Sequence, residues 1–385
     1  MRKLFAKVHL WLSVPLGLLI SVVCLSGAAL VFEREITRAM RPDIYRVSQP
    51  ENATPLPPSE IASRVRAQVA DTLRLSSLLI PGDPEEAWMA GFDNVRKQTL
   101  SVNPYTGDIN GWTESVPFFQ TMRKLHRWLM DAPPKKGVGT TGKTLVGITT
   151  LVMIFILISG LVIWIPRNRR ALKNRLRVSY TKGWRRFWYD SHVALGFYAT
   201  LFLLVMALTG LTWSFSWYRT AAYALFGGGT DALPKKETKG KEGKKPSARE
   251  DFDFAVWDHA FASAKAAYPT YKSVKLGTGS LEVAPDPSSY LRKTDKLTFN
   301  KQTGNITAIA RHADAPASQT LKSWFYAFHT GSWGGPWTQT LYFLAAVIGG
   351  ILPLSGYYLW YKRTRVARKG NSSHSGGFNT NGKMN

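Results

Sequence analysis

Seven histidines occur in the 385-residue chain, and four of them, His9, His126, His192 and His329, hold repeated positions. His9 and His192 each precede a glycine, Gly27 and Gly210, by 18 residues, and Leu125-His126 is matched by Phe328-His329. A neutral imidazole is a good ligand for haem iron, and an ionisable group in a membrane span is costly enough that it usually lines a site or ligates something. Taken as couples, His9 with His192 and His126 with His329, the four would hold two b-type haems between facing helices. A plainer account, in which each histidine caps or hydrogen-bonds a helix end at the membrane interface, fits any one of them taken alone.

Four apolar stretches must position these side chains. Residues 8–32, 144–165, 187–217 and 338–361 are each long enough to cross a bilayer as a helix, for which about 20 apolar residues suffice. The first is followed by Glu33-Arg34-Glu35 and lacks a clean small-residue cleavage site, so it reads as a retained anchor. Eighteen residues make about five helical turns, so Gly27 shares the face of His9 about 27 Å along the axis, as Gly210 does that of His192. Those glycines are expected to leave space for a flat ring held by the other couple, and Gly160 and Gly356 to do the same for the inner ring. Ordinary small-residue packing between helices explains the same glycines.

The net charge of +25 would suggest a nucleic-acid partner if it lay on one soluble face. It does not. Residues 1–7, 167–186 and 362–385 hold three, nine and six Lys or Arg, all on one side if the spans alternate. The loops 33–143 and 218–337 are far more balanced. By the positive-inside rule both termini and the 166–186 loop are expected in the cytoplasm, with His9 and His192 at the inner level and His126 and His329 at the outer one. The single cysteine, Cys24, excludes a disulfide framework and a cysteine-ligated cluster within one chain. Gly137 to Thr144 satisfies a phosphate-loop pattern, but it follows no strand and opens a membrane span, so it is read as a loop.

The chain reads as an internal duplication. Asn103, Thr106, Gly107 and Ile109 recur as Asn300, Thr303, Gly304 and Ile306, and Ser159-Gly160 with Trp164 recurs as Ser355-Gly356 with Trp360. Each half is a helix, an outer domain, a histidine and a second helix. Each outer domain is expected to hold an amphipathic helix (60–70; 254–267) and short strands with an N-x-x-T-G hairpin turn. Residues 55–58 and 227–249 read as linkers. His259, His312 and His374 have no counterpart and read as surface or locally bonded residues. The expected fold is a mainly α membrane protein of four helices in two duplicated halves with two α+β outer domains.

The stretches 7–19 (KVHLWLSVPLGLL), 125–130 (LHRWLM), 190–198 (DSHVALGFY) and 328–335 (FHTGSWGG), with the NPYTGDI and NKQTGNI turns and the two SG…W helix ends, resemble a known family. It comprises bacterial inner-membrane proteins with PepSY-like outer domains between PepSY-associated transmembrane helices, among them FoxB-type ferrisiderophore reductases. The resemblance covers nearly the whole chain. It implies a dihaem protein of the inner membrane that passes electrons to a periplasmic ferric siderophore, with His9, His126, His192 and His329 as haem ligands.

The 20 residues from Arg167 to Arg186 are too few for a flavin or nicotinamide domain, so the electron donor is expected to be external, a quinol or a cytoplasmic reductase. Ferric chelate would meet the outer domains and the aromatic residues Trp324, Tyr326, Trp333 and Trp337, which an interfacial aromatic belt explains as well. A haem-free membrane protein that binds or regulates an envelope protease is the alternative reading. A transporter fits less well, because the spans lack paired interruptions and midplane charges.

Overall fold

The computed structural model describes residues 1–95, 97–132, 139–228, 252–291 and 293–374. The expected linker at 227–249 therefore falls almost wholly outside the described residues, as do the start of the Gly137 loop and the side chain of His374. In chain order the helices are α1 (Arg2–Leu30), α2 (Glu33–Met40), α3 (Pro42–Tyr45), α4 (Pro58–Gln68), α5 (Pro117–Trp128), α6 (Thr141–Trp164), α7 (Arg169–Arg175), α8 (Trp184–Ser214), α9 (Ser216–Leu225), α10 (Val256–Ala267), α11 (Ala317–Thr330) and α12 (Gly335–His374). The chain divides into two compact units, one made of residues 1–31, 118–219 and 328–385, the other of 32–117 and 220–327.

The first unit is a bundle of the four long helices α1, α6, α8 and α12, each long and apolar enough to cross a membrane. α1 packs on α6 and α12, and α8 packs on the same two, so α1 and α8 occupy opposite corners of a square. Its dry centre is built from Ile20, Cys24, Met153, Leu157, Ala199, Leu203 and Ala345. Large apolar side chains such as Trp11, Leu18, Leu201 and Leu344 point outward, as they must where lipid is the solvent. α6, α8 and α12 begin three residues before the apolar stretches and α1 six, and α12 runs on through Lys362 and Arg363 to His374. Hydropathy marks only the part of a helix that lies in lipid, and a helix can continue beyond it.

Pro15 lies inside α1 and Pro353 inside α12. One turn past Pro15 the Tyr357 hydroxyl donates to the Val14 carbonyl at 2.7 Å and accepts from the Leu18 N–H at 3.1 Å. It thus occupies a rung of the helix's own i to i−4 ladder, one of the recognised causes of a bend. Gly17 makes the approach possible, since a Cβ there would stand 2.7 Å from that oxygen.

The second unit holds an eight-stranded antiparallel sheet in the order β4-β3-β2-β1-β5-β6-β7-β8. Its strands are β1 (Leu75–Pro81), β2 (Trp88–Phe92), β3 (Leu100–Val102), β4 (Ile109–Trp112), β5 (Ser273–Gly277), β6 (Ser280–Ala284), β7 (Asp295–Phe299) and β8 (Ile306–Ala310). Two four-stranded meanders, one from each half of the sequence, join where β1 pairs with β5, with Leu78 opposite Leu276. The α+β parts of the two halves thus share one continuous sheet. The joint removes two unpaired strand edges that separate domains would expose.

Helices α4 and α10 pack together and against β1 and β5. Asp258 of α10 accepts from the Ser59 N–H at 2.8 Å, satisfying one of the open donors at the start of α4. The two N-x-x-T-G turns are superposable in their bonding. Gly107 and Gly304 both have φ of 75°, their N–H groups donate to the Asn103 and Asn300 carbonyls at 2.8 Å, and the Asn side chains accept from the backbone two residues on. Of the unmatched histidines, His312 donates its backbone N–H to the buried Asp295.

Trp257 is fully buried at the centre of this unit and its indole N–H donates to the Gly277 carbonyl at 2.9 Å. Trp257→Ala is expected to cost about 3–5 kcal/mol in thermal or denaturant unfolding of the purified protein, and Trp257→Phe clearly less. A change below about 1 kcal/mol for the alanine variant would contradict this packing.

Candidate functional site

All four repeated histidines lie in the bundle unit, and the structure brings them together as two pairs. His9 of α1 and His192 of α8 have ring centres 6.5 Å apart with planes at 88°. His126 of α5 and His329 of α11 have ring centres 6.1 Å apart with planes at 48°. Each pair takes one ring from each half of the duplicated sequence. α5 is a short helix before α6, and its His126 reaches the bundle despite the loop that follows.

Every ring is seated on another helix in the same way. His9 Nδ1 lies 3.0 Å from the Ile156 carbonyl, His126 Nδ1 2.8 Å from that of Val23, and His329 Nδ1 2.9 Å from that of Met206. His192 Nδ1 lies 2.9 Å from Ser355 Oγ, which itself donates to the Leu352 carbonyl at 2.7 Å. A carbonyl oxygen only accepts, and a serine hydroxyl that has given its proton to a carbonyl does the same, so Nδ1 carries the proton and donates, leaving the lone pair on Nε2. Among the described residues no hydrogen bond is made to any of the four Nε2 atoms, and none joins the two rings of a pair.

Each accepting carbonyl lies four residues before a glycine. A Cβ on Gly27 would stand 2.8 Å from His126 Cε1, on Gly160 3.1 Å from His9, on Gly210 3.0 Å from His329, and on Gly356 3.6 Å from His192. The gap that each leaves is taken up by the edge of an imidazole, because the ring must lie against the helix for its N–H to reach the carbonyl. Gly160 and Gly356 additionally line the cavity described below.

A hydroxyl completes each seat. Ser26, Ser159, Thr209 and Ser355 immediately precede the four glycines; the first three bond the carbonyl that the imidazole uses, Val23 at 3.1 Å, Ile156 at 2.8 Å and Met206 at 3.2 Å, and Ser355 links His192 to the Leu352 carbonyl, to which it donates at 2.7 Å. Ser159 and Thr209 lie 3.2 and 3.3 Å from the Nδ1 atoms as well. Sequence reading found the Ser-Gly repeat in α6 and α12 but missed Ser26-Gly27 and Thr209-Gly210. The signal was there, a small hydroxyl residue before each of the four glycines.

Around His9 and His192 the bundle encloses a cavity of about 890 Å³, within the ordinary range of cofactor pockets. Its walls include Ile156, Leu157, Leu203 and Leu352 and the stacked rings of Trp164 and Phe197, 3.7 Å apart. Two buried polar atoms of that wall, Ser13 Oγ and Trp164 Nε1, make no hydrogen bond among the described residues. At the other end Trp213 packs edge-on against His329 with centres 5.2 Å apart.

Among the described residues no three of His, Cys, Asp and Glu gather as a metal cluster. Each pair offers two nitrogens, the number that a planar four-nitrogen macrocycle leaves open on its metal. A first-row metal–imidazole bond of about 2.0–2.1 Å on either side, with about 1.1 Å from nitrogen to ring centre, sets the centres about 6.3 Å apart. The observed 6.5 and 6.1 Å fit that spacing.

A family model described as the PepSY-associated TM region matches residues 6–363, and the chain belongs to that family. No curated protein matches the chain.

The seats make a prediction that involves no cofactor. Gly27→Val is expected to destabilise the purified protein by about 1–3 kcal/mol through overpacking against His126. His126→Ala in the same chain should remove most of that cost, giving a coupling above about 0.5 kcal/mol in thermal unfolding. Strict additivity would contradict the contact.

Proposed function

We propose that this multi-pass membrane protein of the PepSY-associated family holds two haem groups, one between His9 and His192 and one between His126 and His329, and carries electrons across the bilayer to reduce ferric chelate. The observation that carries this reading is the spacing of two histidine pairs whose Nδ1 protons are tied to three backbone carbonyls and the Ser355 hydroxyl, leaving four Nε2 lone pairs without a hydrogen bond among the described residues. When bound, haem supplies a reversible one-electron couple.

The chain's own part is to bind, orient and keep dry. The carbonyl seats fix the tautomer and ring orientation and make the unprotonated nitrogen more basic, the usual role of a partner behind a metal-ligating histidine. Helix-borne side chains hold the rings on rigid elements. The apolar centre from Ile20 to Leu203 separates the two ends without an ionisable group other than Cys24.

The basic flanks support an orientation in a bacterial inner membrane with the end of the bundle that holds His9 and His192 toward the cytoplasm and His126 and His329 toward the periplasm. The segment between α6 and α8 contains only the short helix α7, so the donor is an external quinol or soluble reductase. The substrate at the outer end is Fe(III) held by a siderophore. One-electron reduction gives Fe(II), which hard oxygen ligands hold less tightly, and iron is released. The resemblance to ferrisiderophore reductases supports this step.

Purified full-length protein is expected to contain two haems per chain by its pyridine haemochrome. Its oxidised and dithionite-reduced spectra should show six-coordinate b-type haem, and ferric siderophore should reoxidise it. His9→Ala and His192→Ala should each remove the same half of the signal, and His126→Ala and His329→Ala the other half. A colourless protein, or substitutions that leave the spectrum unchanged, would overturn the proposal.

A further inference from the structure

The cavity around His9 and His192 has an uneven charge that the histidines leave unused. Five basic residues line it, Arg175, Lys182, Arg185, Arg186 and Arg363, and no acidic residue does. Two of them are engaged. Arg175 donates to the carbonyls of Ile163 and Trp164 at the end of α6, and Arg186 pairs with the buried Asp190 at 2.8 Å. Lys182, Arg185 and Arg363 form no ion pair among the described residues, and all three are solvent-exposed.

They come from two separate places in the chain. Lys182 and Arg185 stand at the entry to α8, and Arg363 stands on α12 seven residues past Gly356. Like charges brought to one rim repel one another, so the arrangement favours a bound anion. The wall adds the buried Trp164 indole N–H, a donor that makes no hydrogen bond among the described residues.

The chemistry of the cavity is therefore graded. Apolar side chains and the buried Trp164 donor line its wall, two imidazoles flank it, and exposed cations lie where it meets solvent. We infer that Lys182, Arg185 and Arg363 bind the carboxylates of an amphipathic ring system held between His9 and His192, so that the ring enters with its acidic edge toward the basic end of the bundle. The inference rests on the haem reading above and adds the orientation of the ring and the residues that enforce it. Arginine and lysine are suited to such carboxylates, and the charge-assisted bonds gain strength where one side of the pair is screened from water.

The test uses full-length protein prepared under haem limitation and carrying His126→Ala and His329→Ala, so that only the pair formed by His9 and His192 is read. Haem and haem dimethyl ester, which has the same ring and iron but no carboxylates, are titrated in turn and followed by the Soret band. Haem is expected to bind about tenfold or more tightly than its diester. Lys182→Ala/Arg185→Ala/Arg363→Ala should bring that ratio below about twofold, chiefly by weakening haem, with diester binding unchanged.

Equal affinity for acid and diester in the unsubstituted rim would overturn the inference. That is the result expected if the rim instead holds a lipid phosphate. A ratio that survives the triple substitution would also overturn it while leaving the haem reading intact. Failure of both ligands to bind would overturn the haem reading, and this inference with it. A triple variant that binds the diester normally shows that its bundle is folded, so a loss confined to haem cannot be ascribed to misfolding.

Discussion

An imidazole N–H laid on a helix carbonyl across a glycine is the contact on which the rest of this structure depends. A carbonyl inside an α-helix already accepts one bond from its own ladder, and its second lone pair is free. In lipid no water competes for that lone pair, which the imidazole shares with the neighbouring Ser or Thr hydroxyl. A neighbouring side chain can reach it only where no Cβ stands in the way, which is why glycine recurs four residues later at Gly27, Gly160, Gly210 and Gly356. The bond decides the tautomer, and the tautomer decides which nitrogen keeps its lone pair.

Each half of the chain makes its two seats internally. His9 rests on α6 and His126 on α1, while His192 rests on α12 and His329 on α8. Histidine pairs arise only when the halves come together, because each pair takes one ring from each. Two copies of one helical unit, related by duplication, thus yield two sites at opposite ends of one bundle. The sheet unit repeats the principle, with two meanders completed by one shared joint between β1 and β5. The ends differ where the duplicated sequence has diverged. The pair of His9 and His192 lies in a cavity with a basic rim, whereas Trp213 packs on His329 at the other end.

Much of this was legible in the residues. Hydropathy located the four helices, and the repeat of His, Gly and the N-x-x-T-G turns identified the two halves and which histidines correspond. The pairing of His9 with His192 followed from depth alone. What the sequence did not disclose depends on contacts between distant segments. No local pattern says that Leu78 will face Leu276, so the strands of each half were legible but their joining into one sheet was not. The glycines were recognised as gaps, but the occupant of a gap depends on a side chain more than 90 residues away. Arg185 and Arg363 were read only as topology signals, since their convergence on a cavity rim is set by the packing of α8 against α12.

The most direct test of the central claim is low-temperature electron paramagnetic resonance of the oxidised, purified protein. Two low-spin ferric signals of bis-imidazole type are predicted, the more anisotropic from the pair of His9 and His192, whose ring planes are nearly perpendicular, and lost on His192→Ala. A high-spin signal at both sites, or no haem signal at all, would mean that these imidazoles do not share a metal.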